Sequence, residues 1–235
     1  MRFMMMQKND AAAEAGTMPS QKTIEEMGAL FQDCAKAGKF VEAAGLYPSS
    51  YRTRLVFRGG VSTAKRGPYR GERELPASIL MLKLDSQDDA IGWAERYGKI
   101  VGDAEIEVAK VAMPPGEAQL YALVDKADAA TEAGGRPAPV KTALSRLKTE
   151  MTKAGVLFCN VDLASSATSK RVRLASGKMH VTTGPFTESV ELIGGFTILD
   201  LADVDEAVAF CRRLAAIGGK DLEIDVHVVE RFETT

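Results

Sequence analysis

The chain writes one pattern twice. Lys8-Asn9-Asp10-Ala11-Ala12-Ala13-Glu14-Ala15-Gly16 returns as Lys126-Ala127-Asp128-Ala129-Ala130-Thr131-Glu132-Ala133-Gly134. Lys36-Ala37-Gly38 returns as Lys153-Ala154-Gly155, and Gly67-Pro68-Tyr69 as Gly184-Pro185-Phe186. Asp103 to Val108 returns as Asp221 to Val226. The offset stays at about 118 residues and the order is kept along the whole length, so the repeat is a duplicated folding unit. This predicts repeat 1 over residues 1–113, a linker over 114–118 and repeat 2 over 119–235. Prolines at Pro114 and Pro115 remove backbone donors, as a joint between units requires.

Each repeat reads as β-α-β-β-β-α-β. The opening strands, Phe3 to Gln7 and Leu120 to Val124, are apolar throughout, as in strands covered on both faces. A helix follows with apolar positions Ile24, Met27, Phe31 and Cys34 in one copy and Val140, Leu144, Leu147 and Met151 in the other. Thr23-Ile24-Glu25-Glu26 is a capping signal for the first. Gly38 and Gly155 stand where a helix end wants a left-handed residue. After a strand (Phe40 to Leu46, Val156 to Leu163), a hairpin turns at Gly59-Gly60 with arginines on one face of its strands. Ser78 to Leu84 and Phe196 to Leu201 are again apolar. A second helix opens at Ser86 or Asp203 and buries Ile91, Trp93, Ala94 and Tyr97, or Val204, Val208, Cys211 and Leu214. The last strand alternates, with Glu105 and Glu107, or Glu223, Asp225 and His227, on its polar face. Of these, His227 reads as a charge-paired surface residue.

Two helices on one face leave the second apolar sheet face in need of cover, and the other repeat's sheet supplies it. The predicted fold is α+β: two tandem ferredoxin-like repeats forming a dimeric α+β barrel within one chain. Fusion makes each repeat the other's effective partner, a pseudo-dimer, and leaves room for a further homodimer.

The formal charge of −2 provides no field for a phosphate backbone, which argues against nucleic acid. No apolar run reaches the ~20 residues of a membrane span, and the opening residues turn polar too soon for a signal peptide. Three separated cysteines, Cys34, Cys159 and Cys211, form no C-x-x-C pair and read as free core thiols of a reducing cytoplasm. There is no P-loop, no G-x-G-x-x-G, no metal-ligand spacing and no nucleophile elbow, so neither cofactor nor metal is expected.

The turn before the fourth apolar strand resembles the signature of the YCII-related (DGPF) family, Asp-Gly-Pro-Phe-x-Glu-x-x-Glu. The two copies read Arg66-Gly67-Pro68-Tyr69-Arg70-Gly71-Glu72-Arg73-Glu74 and Thr183-Gly184-Pro185-Phe186-Thr187-Glu188-Ser189-Val190-Glu191. Gly45-Leu46-Tyr47-Pro48-Ser49 is similar to another segment of that family. The aspartate of the pattern is replaced in both copies, and its inner glutamate survives only as Glu188. The resemblance implies the dimeric α+β barrel superfamily, a bacterial source and, from relatives that stand beside alternative sigma factors, a regulatory role.

Two functions follow as expectations. The first is a protein that binds a small molecule in a cleft between the repeats, with Tyr69 and Phe186 as walls and Arg54, Arg171 and Glu74 as polar contacts. The second is an acid–base enzyme, an isomerase, lyase or dehalogenase-like catalyst for a small aromatic or dicarbonyl metabolite. It would use His180 with Glu188 or Glu191. Against both stands a plainer reading. The Gly-Pro-aromatic turns plug the barrel ends, the glutamates pair with Arg54, Arg171 or Arg173, and His180 is an ordinary strand histidine.

Overall fold

Short apolar runs bounded by turn residues become strands, and apolar positions three and four apart become helices. In chain order these are β1 (Arg2–Lys8), α1 (Ala11–Glu14), α2 (Gln21–Lys36), β2 (Phe40–Gly45), β3 (Arg52–Arg58), β4 (Val61–Arg66), β5 (Pro76–Lys83), α3 (Gln87–Val101) and β6 (Ala104–Lys110). The series then repeats as β7 (Leu120–Lys126), α4 (Ala129–Gly134), α5 (Ala138–Lys153), β8 (Leu157–Leu163), β9 (Lys170–Ala175), β10 (Lys178–Thr183), β11 (Ile193–Asp200), α6 (Val204–Gly218) and β12 (Leu222–Thr234). The computed structural model describes residues 1–71, 74–186, 192–218 and 221–234. No helix among them is long and apolar enough to cross a membrane.

Local chemistry sets the boundaries. Ser86 Oγ accepts the Asp89 N–H at 3.1 Å and Asp203 Oδ1 accepts the Glu206 N–H at 2.9 Å, so each caps its helix. Gly38 and Gly155 end α2 and α5 at φ of +68° and +69°. At α2 the capping signal lies earlier than Thr23. Ser20 Oγ accepts the Thr23 N–H at 3.1 Å. The register moves with it: Ile24 is 45% exposed, while Leu30 and Cys34 are buried.

Strand pairing crosses the boundary between repeats. One half-sheet runs β4-β3-β6-β7-β5-β8, the other β2-β11-β1-β12 with β9 and β10 continuing from β12. Thus β1 lies between β11 and β12, and β7 lies between β5 and β6. Each ferredoxin-like unit takes its β-α-β opening from one repeat and its remaining strands and helix from the other. The chain crosses from one unit to the other after β2 and returns after β8.

The halves meet along two unequal seams. The long β12 pairs through Val229–Thr234 with β8. The pseudo-equivalent β6 stops at Lys110, and only an isolated bridge, Leu46 to Val111, links it to the end of β2. The sheet is therefore not closed into a complete barrel. Pro114 and Pro115 lie just beyond that bridge and cannot donate to a ladder.

Three apolar layers follow from this arrangement. Phe3 and Met5 pack with α2 and α6, whereas Met4 and Met6 on the same strand point between the half-sheets. Tyr121 and Leu123 pack under α3 and α5, whereas Ala122 and Val124 point between the half-sheets. The middle layer is filled by Met81, Cys159, Val161, Phe196, Ile198 and their neighbours, all buried.

If exchange of β1 and β7 holds the fold, polypeptides 1–113 and 119–235 made separately each lack half of their native strand partners. Mixed together they should form a 1:1 complex with native near-ultraviolet dichroism and a single cooperative melt. Two stable, folded monomers that ignore one another in sedimentation would contradict the exchange.

Candidate functional site

The interior-facing positions of β3, β6, β9 and β12 carry charge near the edge of the filled middle layer. In the first cluster Arg52 Nη1 donates to Glu107 Oε1 at 2.7 Å, and Arg54 Nη2 donates to Glu74 Oε1 at 2.8 Å and to Glu107 Oε2 at 3.3 Å. The Tyr69 hydroxyl donates to Glu107 Oε2 at 3.0 Å, and the Tyr69 ring lies 4.3 Å from Arg54 Cζ. Lys126, from the other repeat, donates to Glu74 Oε1 at 2.8 Å. The second cluster repeats this plan. Arg171 holds both oxygens of Asp225 at 2.6 and 2.9 Å, Phe186 lies 4.4 Å from Arg171 Cζ, and Lys8 from the first repeat sits 3.2 Å from Asp225 Oδ2.

The lysine of each repeat thus serves the carboxylates of the other. Burial alone would push the Glu107 carboxyl up, but Arg52, Arg54 and Lys126 hold it below its ordinary range. Asp225 is likewise raised by burial and brought below its ordinary value by Lys8 and Arg171. Tyr69, Phe186, Arg54 and Glu74 are all buried.

These clusters bring together Tyr69, Glu74 and Arg54, and separately Phe186 and Arg171, on the interior side. The arginines and Glu74 among them are held in ion pairs, beside the buried apolar cluster between the half-sheets. His180 is exposed on β10, opposite Arg173, and lines neither of the two recesses on the helix-covered side. Glu188 and Glu191 lie outside the described residues. The pairing of His180 with either glutamate therefore draws no support from the described geometry.

His227 is not a surface residue but 1% exposed. It shares its face with Asp225 as the alternation implies, and that face turns inward. Its Nδ1 lies 2.9 Å from Ser169 Oγ, and Nε2 has no partner among the described residues. Ser169 and His227 replace Arg52 and Ala109 of the other repeat. Burial, only partly offset by Asp225, lowers the His227 pKa to about 4. Burial also pushes the Cys159 and Cys211 thiols up to about 12, so neither is a thiolate nucleophile at neutral pH. Among the described residues no group of three His, Cys, Asp or Glu side chains converges as a metal would require.

Open space lies on the helix-covered side. A recess of about 820 Å³ is lined by Ser78 and Tyr97 from repeat 1 and by Asp125, Arg136, Lys148 and Asp162 from repeat 2. A smaller one of about 360 Å³ adjoins it across Lys148 and Arg231. Tyr97 shares a hydrogen bond with Ser78 Oγ at 3.1 Å and donates to Asp125 Oδ2 at 2.9 Å. Arg136 Nη2 donates to the same oxygen at 2.5 Å, and Lys148 Nζ donates to Asp162 at 2.9 Å. Asp125 is 1% exposed, and its Oδ1 has no partner among the described residues. Burial raises its pKa against the pull of Arg136.

Sequence reasoning passed over Asp125, Arg136, Lys148 and Asp162. The repeat held a signal for them. Asp125, Lys148 and Asp162 stand where the other copy has Gln7, Phe31 and Gly45, and Tyr97 stands where it has Leu214.

The sequence profile of the YCII-related domain matches the chain twice, over residues 1–109 and 120–225. An uncharacterised protein of Rhizobium meliloti (strain 1021) is 33% identical over 72 residues, covering 31% of this chain and 58% of that protein's own length. No solved structure matches significantly.

The buried neutral histidine sets a pH dependence. With the folded pKa near 4 and an ordinary value of 6.5, the unfolded chain takes up the proton first, so stability falls as pH drops from 6.5 to 4. The full loss is about 3 kcal/mol. Glu107 and Asp225 add their own loss only below ordinary carboxylate values of 4.5 and 3.8. Urea unfolding of wild type and His227→Gln between pH 7 and 4.5 should show a steeper decline in wild type. Parallel curves would contradict a buried neutral His227.

Proposed function

The chain belongs to the YCII-related family, in two tandem copies, and on that premise we propose that it binds one small molecule in the recess where the two repeats meet. The recess of about 820 Å³ carries this reading. That volume lies within the ~300–1,000 Å³ usual for small-molecule sites. Both repeats contribute to its wall, and its polar groups converge on one buried carboxyl. Between the half-sheets, by contrast, the described residues form a continuous cluster of buried apolar side chains. The charged clusters beside it act as internal locks that fix the aromatic turns.

Duplication supports a single site per chain. The pseudo-equivalent place in the other unit carries Gly195, Leu214, Gln7 and Phe31 where this one has Ser78, Tyr97, Asp125 and Lys148. Its floor is largely apolar and cannot make the same contacts. The protein is thus read as a binding or regulatory member of its family, with one repeat-derived surface specialised and the other kept structural.

The duplication also supplies the control for a test. Ser145 is exposed and lines the recess; its counterpart Gly28 has open space around it. A library of small polar compounds should yield ligands that raise the melting temperature at one per chain. Ser145→Trp should abolish that rise while leaving the unliganded melt within about 0.5 kcal/mol of wild type, as for a surface change. Gly28→Trp should leave it intact. Ligands that bind at two per chain, or equally well to Ser145→Trp, would contradict the assignment.

A further inference from the structure

The charge around the recess is unevenly spent. Asp125 is held by Arg136, Asp162 by Lys148, and Glu132 accepts from Ser165 Oγ, Ser166 Oγ and the Ser166 N–H. Each of these carboxylates already has at least one donor, with Asp125 Oδ1 left unpartnered among the described residues. Lys141 and Arg146 also line the recess and form no ion pair among the described residues; of the lining acids Glu132 and Glu230 form none either, and Glu132 is occupied by the serine donors. Arg136 spends Nη2 on Asp125, and no protein acceptor takes its other guanidinium N–H groups among the described residues. Its planar fork leaves those donors available for a second oxygen group.

Backbone geometry adds to the same side. Gly135 has φ of +70°, and a Cβ there would lie 3.6 Å from Lys141 Nζ, so the ammonium folds back over this turn. The sixteen-residue α5 begins directly after it, at Ala138, and Pro137 provides no side-chain cap. The counterpart helix α2 has Ser20 in that position. The positive end of the α5 dipole therefore stands uncapped beside Arg136 and Lys141. The counterparts of those two residues, Pro19 and Ile24, carry no charge.

We infer that the recess selects a small organic anion, a carboxylate or phosphate whose oxygens sit on Arg136 and Lys141 at the start of α5 and whose body lies toward Tyr97 and Ser78. This deepens the proposed binding function and rests on it. The anion is complemented by donors that the fold leaves unspent, and the internal Arg136–Asp125 pair keeps the guanidinium in place before the ligand arrives. An ordinary carboxylate then meets a preset fork rather than a mobile side chain.

Four probes of similar shape separate the possibilities: benzoate, phenyl phosphate, benzamidine and benzyl alcohol, each titrated into the full-length ¹⁵N-labelled protein. Benzoate or phenyl phosphate should shift amides of Gly134, Gly135 and Lys141, with binding that weakens as salt rises; whichever of the two binds tighter identifies the oxyanion. Arg136→Gln should weaken binding roughly tenfold or more, the loss of a charge-assisted fork. Because that change also strips Asp125 of its cationic partner, the exposed Lys141→Gln provides a second test that leaves the fold alone, with a several-fold loss expected. Benzamidine or benzyl alcohol binding in the recess more tightly than either anion would overturn the anion assignment and leave the site standing. Anion affinity unchanged in both variants would overturn it too. If no probe of any charge shifts the recess amides, both this inference and the proposed binding function fail.

Discussion

Two apolar strands in borrowed surroundings hold this molecule together. β1 and β7 each lie in the middle of a half-sheet, hydrogen-bonded on both edges to strands of the other repeat or across the repeat boundary. Each also has one face against helices and the other in the filled layer between the half-sheets. Removing either would open two ladders and expose two apolar faces at once. Burial at ~25 cal/mol per Å² makes that a large loss against a total stability of ~5–15 kcal/mol. The repeats are therefore units of sequence, while the units of structure are mixed. Lys8 and Lys126, at the ends of these same strands, carry the exchange into electrostatics by neutralising carboxylates of the opposite repeat.

The buried layer between the half-sheets constrains how charge can be placed beside it. Charges that face inward on β3, β6, β9 and β12 cannot stay solvated and are stable only as partnered groups. Arg54 with Glu74 and Glu107, and Arg171 with Asp225, meet that requirement, with an aromatic ring closing over each arginine. A recess with room for a ligand lies on the helix side. There α3 of repeat 1 and α5 of repeat 2 flank the end of β7, and polar residues have replaced apolar ones in one unit only. Fusion of the copies permits this: two identical chains would have to change both sites together, whereas a tandem gene can specialise one.

Much of the fold is legible in the residues. The repeat, the double-faced apolar strands, the caps at Ser86 and Asp203 and the glycines at Gly38 and Gly155 all correspond to local physics that acts within a few residues. Partner choice does not. Nothing in Phe3-Met4-Met5-Met6 says whether the strand pairs within its own repeat or with the other, because both offer the same neighbours. Alternation has a similar blind spot. It correctly puts His227 on a polar face with Asp225, but period two cannot tell a face turned to water from one turned to buried ion pairs. The recess was harder still, since Tyr97 and Lys148 sit at helix positions whose spacing marks them as core. Only comparison of the copies exposes them, where Leu214 and Phe31 fill the same places with hydrocarbon.

The exchange of β1 and β7 is open to direct observation. Backbone nuclear Overhauser contacts in the uniformly labelled protein report strand neighbours without perturbing them. Cross-strand contacts should join Met5 to Val226 and Thr197, and Leu123 to Val108 and Leu80. Contacts placing Met5 beside Val108 and Leu80 instead, with Leu123 beside Val226 and Thr197, would mean that each repeat folds on itself and that no strand exchange takes place.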